Sequence, residues 1–219
     1  MDKNNSGINS IGGLKRIYLD KKSQIEDRLN EFRCVWNQGD KKIFAELCFC
    51  ITTPQSKAES CDQIITKLEK TGLLFDSSIC KLYPHMKKTR FYKNKSRYIV
   101  EARNFFKDNG SIRIKDKINT NDVRSTRDWL VENIKGIGYK EASHFLRNIG
   151  FGDNLAILDI HILRNLKRFN VIKDVPKSIS KRLYLQIEDK LKLFSENTGI
   201  PIAHLDLLFW SMQTGKIFK

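Results

Sequence analysis

The chain predicts an all-α fold on three observations. Apolar residues recur at offsets of three, four and seven along most of its length. The breaks between those stretches contain Gly39, Pro54, Gly72, Pro84, Gly110, Gly136, Gly152, Pro176 and Gly199, the residue types that punctuate helices. One run alternates as a strand does, Ser111-Ile112-Arg113-Ile114-Lys115, and a lone strand cannot make a sheet.

Taken in order, residues 1–13 hold Asn, Ser and Gly with few large apolar side chains, which predicts a flexible tail ahead of a folded body over 14–219. Helices are then expected over about 14–37, 41–52, 56–70, 76–83, 90–108, 124–134, 139–149, 159–169, 178–197 and 201–213. The second carries the stripe Ile43, Phe44, Leu47, Cys48 and Ile51. The sixth and seventh carry Trp129, Leu130, Val131 and Ile134, then Ala142, Phe145, Leu146 and Ile149, so residues 124–149 read as helix, Gly-rich hairpin, helix. Asp159 is a favoured N-cap ahead of Ile160, Leu163 and Leu166. The last helix has the core stripe Ile202, Leu205, Leu208, Phe209 and Met212, with Trp210 one step off it, so that Trp210 faces either a cleft or the core. The chain contains no internal repeat or low-complexity block.

At 219 residues and 40% hydrophobic content the chain can bury a core without disulfides, as one domain or two small lobes. Forty Lys/Arg against 25 Asp/Glu give a net charge of +15, which points to a polyanionic partner, DNA or RNA alike. Basic residues concentrate between Lys87 and Tyr98, where cations alternate with aromatics. That pattern suits phosphate contact combined with base stacking, and it also suits a solvated helix face. Cys34, Cys48, Cys50, Cys61 and Cys80 are expected as buried free thiols, and Cys48-Phe49-Cys50 has the wrong spacing for zinc or a redox pair. The four histidines form no metal-binding pattern. With no secretory or membrane segment, a monomer in a reducing cytosol, without metal or cofactor, is expected.

The chemistry concentrates in Lys135-Gly136-Ile137-Gly138-Tyr139, followed at once by Lys140, with Asp159 lying 19 residues beyond that lysine. Two close glycines let backbone N–H groups approach an anion at the positive end of the following helix, where a DNA phosphate would fit. Lys140 falls in the first turn of that helix, where the macrodipole disfavours a cation and eases deprotonation. A free amine there could form a Schiff base with a sugar C1′; an ordinary solvated lysine is the other reading. Asp159 could serve as a cap, as a carboxylate that stabilises an oxocarbenium-like sugar, or as both. His144 projects from the same helix face as Lys140, and His161 is placed to orient the Asp159 helix or to meet a phosphate. Each histidine has a structural reading as well.

The run from Lys135 to Ser143, together with Leu158-Asp159-Ile160-His161, resembles the helix–hairpin–helix DNA glycosylase superfamily. The longer string Lys135 to Asn148 and the ending Trp210-Ser211-Met212-Gln213-Thr214-Gly215-Lys216 are similar to the archaeal-type 8-oxoguanine DNA glycosylase/lyase family, over about Ile25 to Lys219. The resemblance implies two helical lobes, one from the middle of the chain and one from both ends, with the active cleft between them. It implies Lys140 as Schiff-base nucleophile, Asp159 as its acidic partner, and Gln55, in Ile51-Thr52-Thr53-Pro54-Gln55, as the residue filling the space left by a flipped base. Phe91, in Arg90-Phe91-Tyr92, would close the base pocket with Trp210, Lys219 and His144. The implied activity is base excision repair of duplex DNA containing 8-oxoguanine, with AP-site cleavage, in a prokaryotic cytoplasm at the nucleoid. Endonuclease-III-like relatives carry four cysteines for an iron–sulfur cluster near the C-terminus; here all cysteines lie in the first half, so no cluster is expected. An oxidised-pyrimidine glycosylase of the superfamily, or a non-catalytic hairpin module, are the alternatives.

Overall fold

The computed structural model describes residues 10–219, so residues 1–9 of the expected tail lie outside the described residues. The first helix, α1 (Ile11–Val35), starts earlier than periodicity suggests and includes Gly12 and Gly13. Ser10 makes this possible: its hydroxyl accepts the Gly13 N–H at 3.0 Å and its carbonyl the Leu14 N–H at 3.0 Å, a hydroxyl cap that offsets two poor helix formers. Trp36–Gln38 form a 3-10 turn after it.

Two compact units divide the chain, one formed by Arg33–Phe151 and the other by the chain up to Phe32 together with Gly152–Lys219. This is the middle-versus-ends division expected above.

The central unit is organised on α2 (Asp40–Thr52), whose residues from Ile43 to Thr52 are all buried. Helices α3 (Ala58–Lys70), α5 (Tyr92–Phe106) and α7 (Tyr139–Asn148) pack against it. A helix enclosed on every side is apolar all round; its one charged core residue, Glu46, accepts a hydrogen bond from Asn148 Nδ2 at 3.0 Å. α6 (Val123–Asn133) starts at Asp122, whose carboxylate accepts the Ser125 N–H at 3.0 Å. Tyr139 donates to Asp128 at 2.6 Å and thereby ties α7 to α6.

Three expectations are corrected here. Pro84 lies inside α4 (Ile79–Met86) and does not end it. In so short a helix the proline removes a single ladder bond, while Leu82 and Met86 on either side are buried. The alternating run does find a partner: Ser111–Ile112 (β2) pairs with Lys107–Asp108 (β1), two residues that periodicity had placed in a helix. Asn109 and Gly110, at φ 46° and 82°, form an Asn-Gly hairpin turn with both central residues left-handed. Cys48, Cys50 and Cys61 are buried, but Cys34 and Cys80 are exposed at helix ends.

In the second unit, α10 (Ile202–Thr214) packs on α8 (Ile160–Arg168) and α9 (Lys181–Thr198). Phe209 stacks on Phe169, and Phe194 lies against both rings. Met212, expected in the core stripe, is half-buried. Among the described residues no helix is long and apolar enough to cross a membrane.

Candidate active site

The hairpin between α6 and α7 depends on its two glycines for different reasons. Gly136 has φ +86°, and a Cβ there would sit 2.6 Å from Tyr98 Cδ2, so both the backbone and the neighbouring ring exclude a side chain. Gly138 is the N-cap of α7 with ordinary extended backbone. Its N–H donates to Glu141 Oε2 at 3.3 Å, a first-turn carboxylate reaching back in the manner of a capping box. The helical ladder begins only with Ala142 N–H to Gly138 O, so the N–H groups of residues 139–141 precede it at the positive end of α7. Lys135 is exposed and ion-paired with Glu101 of α5 at 3.3 Å, and buried Ile137 anchors the turn.

Lys140 follows in the first turn of α7. Its side chain is 24% exposed and its Nζ lies 3.2 Å from Glu141 Oε1. Glu141 thus holds both the cap N–H and the lysine amine, one oxygen for each. This third-position carboxylate is not among the expected site residues, although its place three residues after the N-cap is a sequence signal, half of a capping box. One turn further along α7, His144, expected beside the base pocket, is buried with its ring edge-on to Phe49 at 5.5 Å. Arg127, fully buried, places its guanidinium over the Tyr139 ring and donates to Ser143 at 3.2 Å; it braces the first turn that carries Lys140.

Gln55 and Phe91 belong to the same unit. Gln55 is exposed at φ 55° in a turn closed by Ser56 N–H to Thr53 O. Phe91, the N-cap of α5, has φ 57°, is 54% exposed and lies under the Arg90 guanidinium at 4.9 Å. A left-handed backbone is uncommon for Gln and a genuine outlier for a bulky aromatic. An exposed aromatic roofed by a cation is also a ready surface for a base face.

Asp159, His161, Trp210 and Lys219 belong to the other unit. Asp159 is the N-cap of α8, with Oδ1 accepting the Ile162 N–H at 2.8 Å. The segment leading into it is held by α9: Glu188 accepts the Ala156 N–H at 2.8 Å, and the Tyr184 hydroxyl donates to Ala156 O at 2.6 Å. Neither support is visible in the sequence, because both partners sit on a helix that begins more than twenty residues further along the chain. His161 has a buried Nδ1 without a hydrogen-bond partner among the described residues, and its carbonyl accepts from Asn165. Trp210 is half-buried and stacks on Phe218 at 5.9 Å. Arg28 of α1 donates to Phe218 O at 3.2 Å, pairs with Glu31, and lies over Phe32. The tail ending at Lys219 is therefore docked on α1 through Phe218.

A Gly-rich hairpin between two helices, a lysine in the first turn of the second, and an aspartate cap on a later helix define a helix–hairpin–helix glycosylase arrangement. Residues 25–200 match the family model described as 8-oxoguanine DNA glycosylase. A protein from Fusobacterium nucleatum described as 8-oxoguanine DNA glycosylase/AP lyase is 46% identical, over 99% of this chain and all of its own length. The corresponding Methanocaldococcus jannaschii protein is 40% identical, over 94% of this chain and 99% of its own. Its crystal structure in complex with a 15mer DNA containing 8-oxoguanine superposes with a TM-score of 0.84 at 38% identity, covering 94% of this chain and 99% of that one. The Thermotoga maritima 8-oxoguanine DNA glycosylase superposes at 0.83, with 33% identity and coverage of 95% and 98%. The chain belongs to the 8-oxoguanine DNA glycosylase family.

Proposed function

We propose how this chain, an 8-oxoguanine DNA glycosylase/AP lyase of base excision repair, divides its reaction among named residues. Lys140 is the nucleophile and Asp159 the carboxylate that stabilises positive charge on the sugar. The observation that carries this reading is the first turn of α7, where a partly buried lysine directly follows a glycine hairpin.

The hairpin Lys135-Gly136-Ile137-Gly138 grips a phosphate of duplex DNA through backbone N–H groups at the positive end of α7. Gln55 enters the space vacated by the lesion. 8-Oxoguanine swings out, at a cost of a few kcal/mol that is lower for a damaged or mispaired base; Phe91 and Trp210 each offer its ring an aromatic face, and His144 lies one turn along α7 from Lys140. His161 meets the backbone beside Asp159. Lys140 leaves its pair with Glu141 as the free amine and attacks C1′; the C1′–N9 bond breaks and the base departs with its electron pair. The lysine adduct then opens the sugar ring, its C1′–O4′ bond breaking and O4′ taking up the proton that nitrogen releases, to give a Schiff base that acidifies the C2′ proton; β-elimination then expels the 3′ phosphate and nicks the strand.

Discrimination follows from one atom. Oxidation converts N7 of guanine from an acceptor to an N–H donor, so a single acceptor aimed at N7 rewards the lesion and repels the normal base. A backbone carbonyl or the carboxylate of Lys219, in the tail docked by Trp210 and Arg28, supplies that acceptor. Residues appended after Lys219 should impair excision if the carboxylate reads N7, and unchanged excision by such an extended protein would rule out the carboxylate version. The enzyme acts as a monomer in the cytosol.

Borohydride trapping tests the whole reading on duplexes containing 8-oxoguanine, thymine glycol or only normal bases. An adduct with 8-oxoguanine DNA alone, absent from Lys140→Gln, is expected. Trapping on thymine glycol would move the specificity to oxidised pyrimidines, and tight binding without any adduct would leave a hairpin binding module.

A further inference from the structure

Among the described residues, four that are not glycine hold positive φ: Gln55, Phe91, Asn109 and Asn170. Asparagine tolerates that region, whereas it is uncommon for glutamine and an outlier for phenylalanine, so something must hold Gln55 and Phe91 there. Both turns meet at one residue. Between Lys87 and Tyr98, Lys87, Lys88, Arg90, Lys93 and Arg97 are exposed, while Lys95 is 4% exposed.

Its ammonium donates to Thr52 O at 2.7 Å, Pro54 O at 2.7 Å and Ser56 Oγ at 2.9 Å, which uses all three donors a lysine has. Two of those acceptors flank Gln55, and Ser56 Oγ also accepts the Arg90 N–H at 3.0 Å. The backbone N–H of Lys95 closes on Phe91 O at 3.1 Å. That last bond opens the α5 ladder; the Lys95 side chain grips the turn that presents Gln55 directly and reaches the turn that presents Phe91 through Ser56 Oγ. Burial lowers the pKa of Lys95, and the nearby Lys140 charge adds to the effect. A buried ammonium is tolerated when every donor is matched, as here.

We propose that Lys95 is a positioning residue for lesion recognition, setting Gln55 and Phe91 as one rigid pair. The proposal rests on the assignment above of Gln55 to the vacated space and Phe91 to the base pocket. It makes Lys95 matter for extruding and seating the base, and much less for chemistry on a sugar that has already lost its base.

The test compares single-turnover excision of 8-oxoguanine with borohydride trapping on a pre-formed abasic site, at saturating protein, for wild type, Lys95→Met, Ser56→Ala, Gln55→Ala and Phe91→Ala. Lys95→Met keeps the length and removes the donors; excision should slow about 100-fold, the scale of a 1 Å misplacement. Trapping on the abasic site should stay within about threefold, less than the loss of one hydrogen bond can cost. Ser56→Ala removes one of the three Lys95 acceptors together with the link to Arg90, leaves the two carbonyl acceptors in place, and should show the same split at about fivefold; it decides the matter if Lys95→Met fails to fold. A folded Lys95→Met that excises at the wild-type rate, or loses both activities in parallel, would overturn the proposal. Wild-type excision by both Gln55→Ala and Phe91→Ala would instead remove the assignment beneath it.

Discussion

The N-termini of α7 and α8 solve one problem in opposite ways. α8 begins with Asp159, whose carboxylate accepts the Ile162 N–H, so the helix supplies its own anion. α7 begins with Gly138, which has no side chain, and draws its cap from Glu141 inside the first turn. It also carries a lysine where an acidic residue would be electrostatically preferred. A self-capped terminus fixes a carboxylate in place. A glycine-capped terminus leaves room for a foreign anion and keeps its amine beside that anion. The difference teaches that a helix start can close on its own side chain or stay open, and on the proposed reading the open one is where this chain receives phosphate.

Removing the amine breaks the contrast most severely. Lys140→Gln should lose trapping and strand cleavage by about 10³-fold or more, as expected when a covalent nucleophile is deleted, with DNA binding measured by anisotropy retained. Asp159→Asn sharpens it, because asparagine caps as well as aspartate but carries no charge. Excision should fall about 10²-fold, while stability in urea shifts by less than about 0.5 kcal/mol.

The glycines separate next. Gly136→Ala meets both a left-handed backbone and the Tyr98 ring, and should cost about 1–3 kcal/mol and weaken duplex binding. Gly138→Ala keeps an allowed backbone and meets only Glu141 Oε2 at 3.2 Å. It should cost about 0.5–1 kcal/mol, and equal losses at the two positions would contradict the division of roles drawn here. The smallest effect belongs to Lys135→Ala. Its ion pair with Glu101 is exposed and worth little, so stability should hold. The log–log salt slope of duplex binding should fall by about 0.9 if Lys135 neutralises one phosphate.

Much of the candidate site was legible along the chain, and the reason is local. Gly136 acts through its own backbone freedom, Gly138 as a cap without a side chain, Asp159 through an N–H three residues away, and Lys140 through its place in a helical turn. Such interactions span a few residues, so spacing reveals them. Helix boundaries followed from apolar periodicity for the same reason, to within a few residues except where a hydroxyl cap, a buried turn around Pro84 or the Asn109-Gly110 hairpin outweighed it.

Selection among chemically equal residues was not legible. Nothing in the run from Lys87 to Tyr98 distinguishes Lys95, because its acceptors lie about forty positions earlier, on the turn after α2. The docking of the tail is more distant still, with Arg28 and Phe218 at opposite ends of the chain. A lysine, an arginine and a left-handed glutamine acquire their roles from the partners that folding brings to them. Short-range hydrogen bonds and hydrophobic periodicity are written into neighbouring residues; desolvation and long-range pairing exist only once the chain has closed on itself.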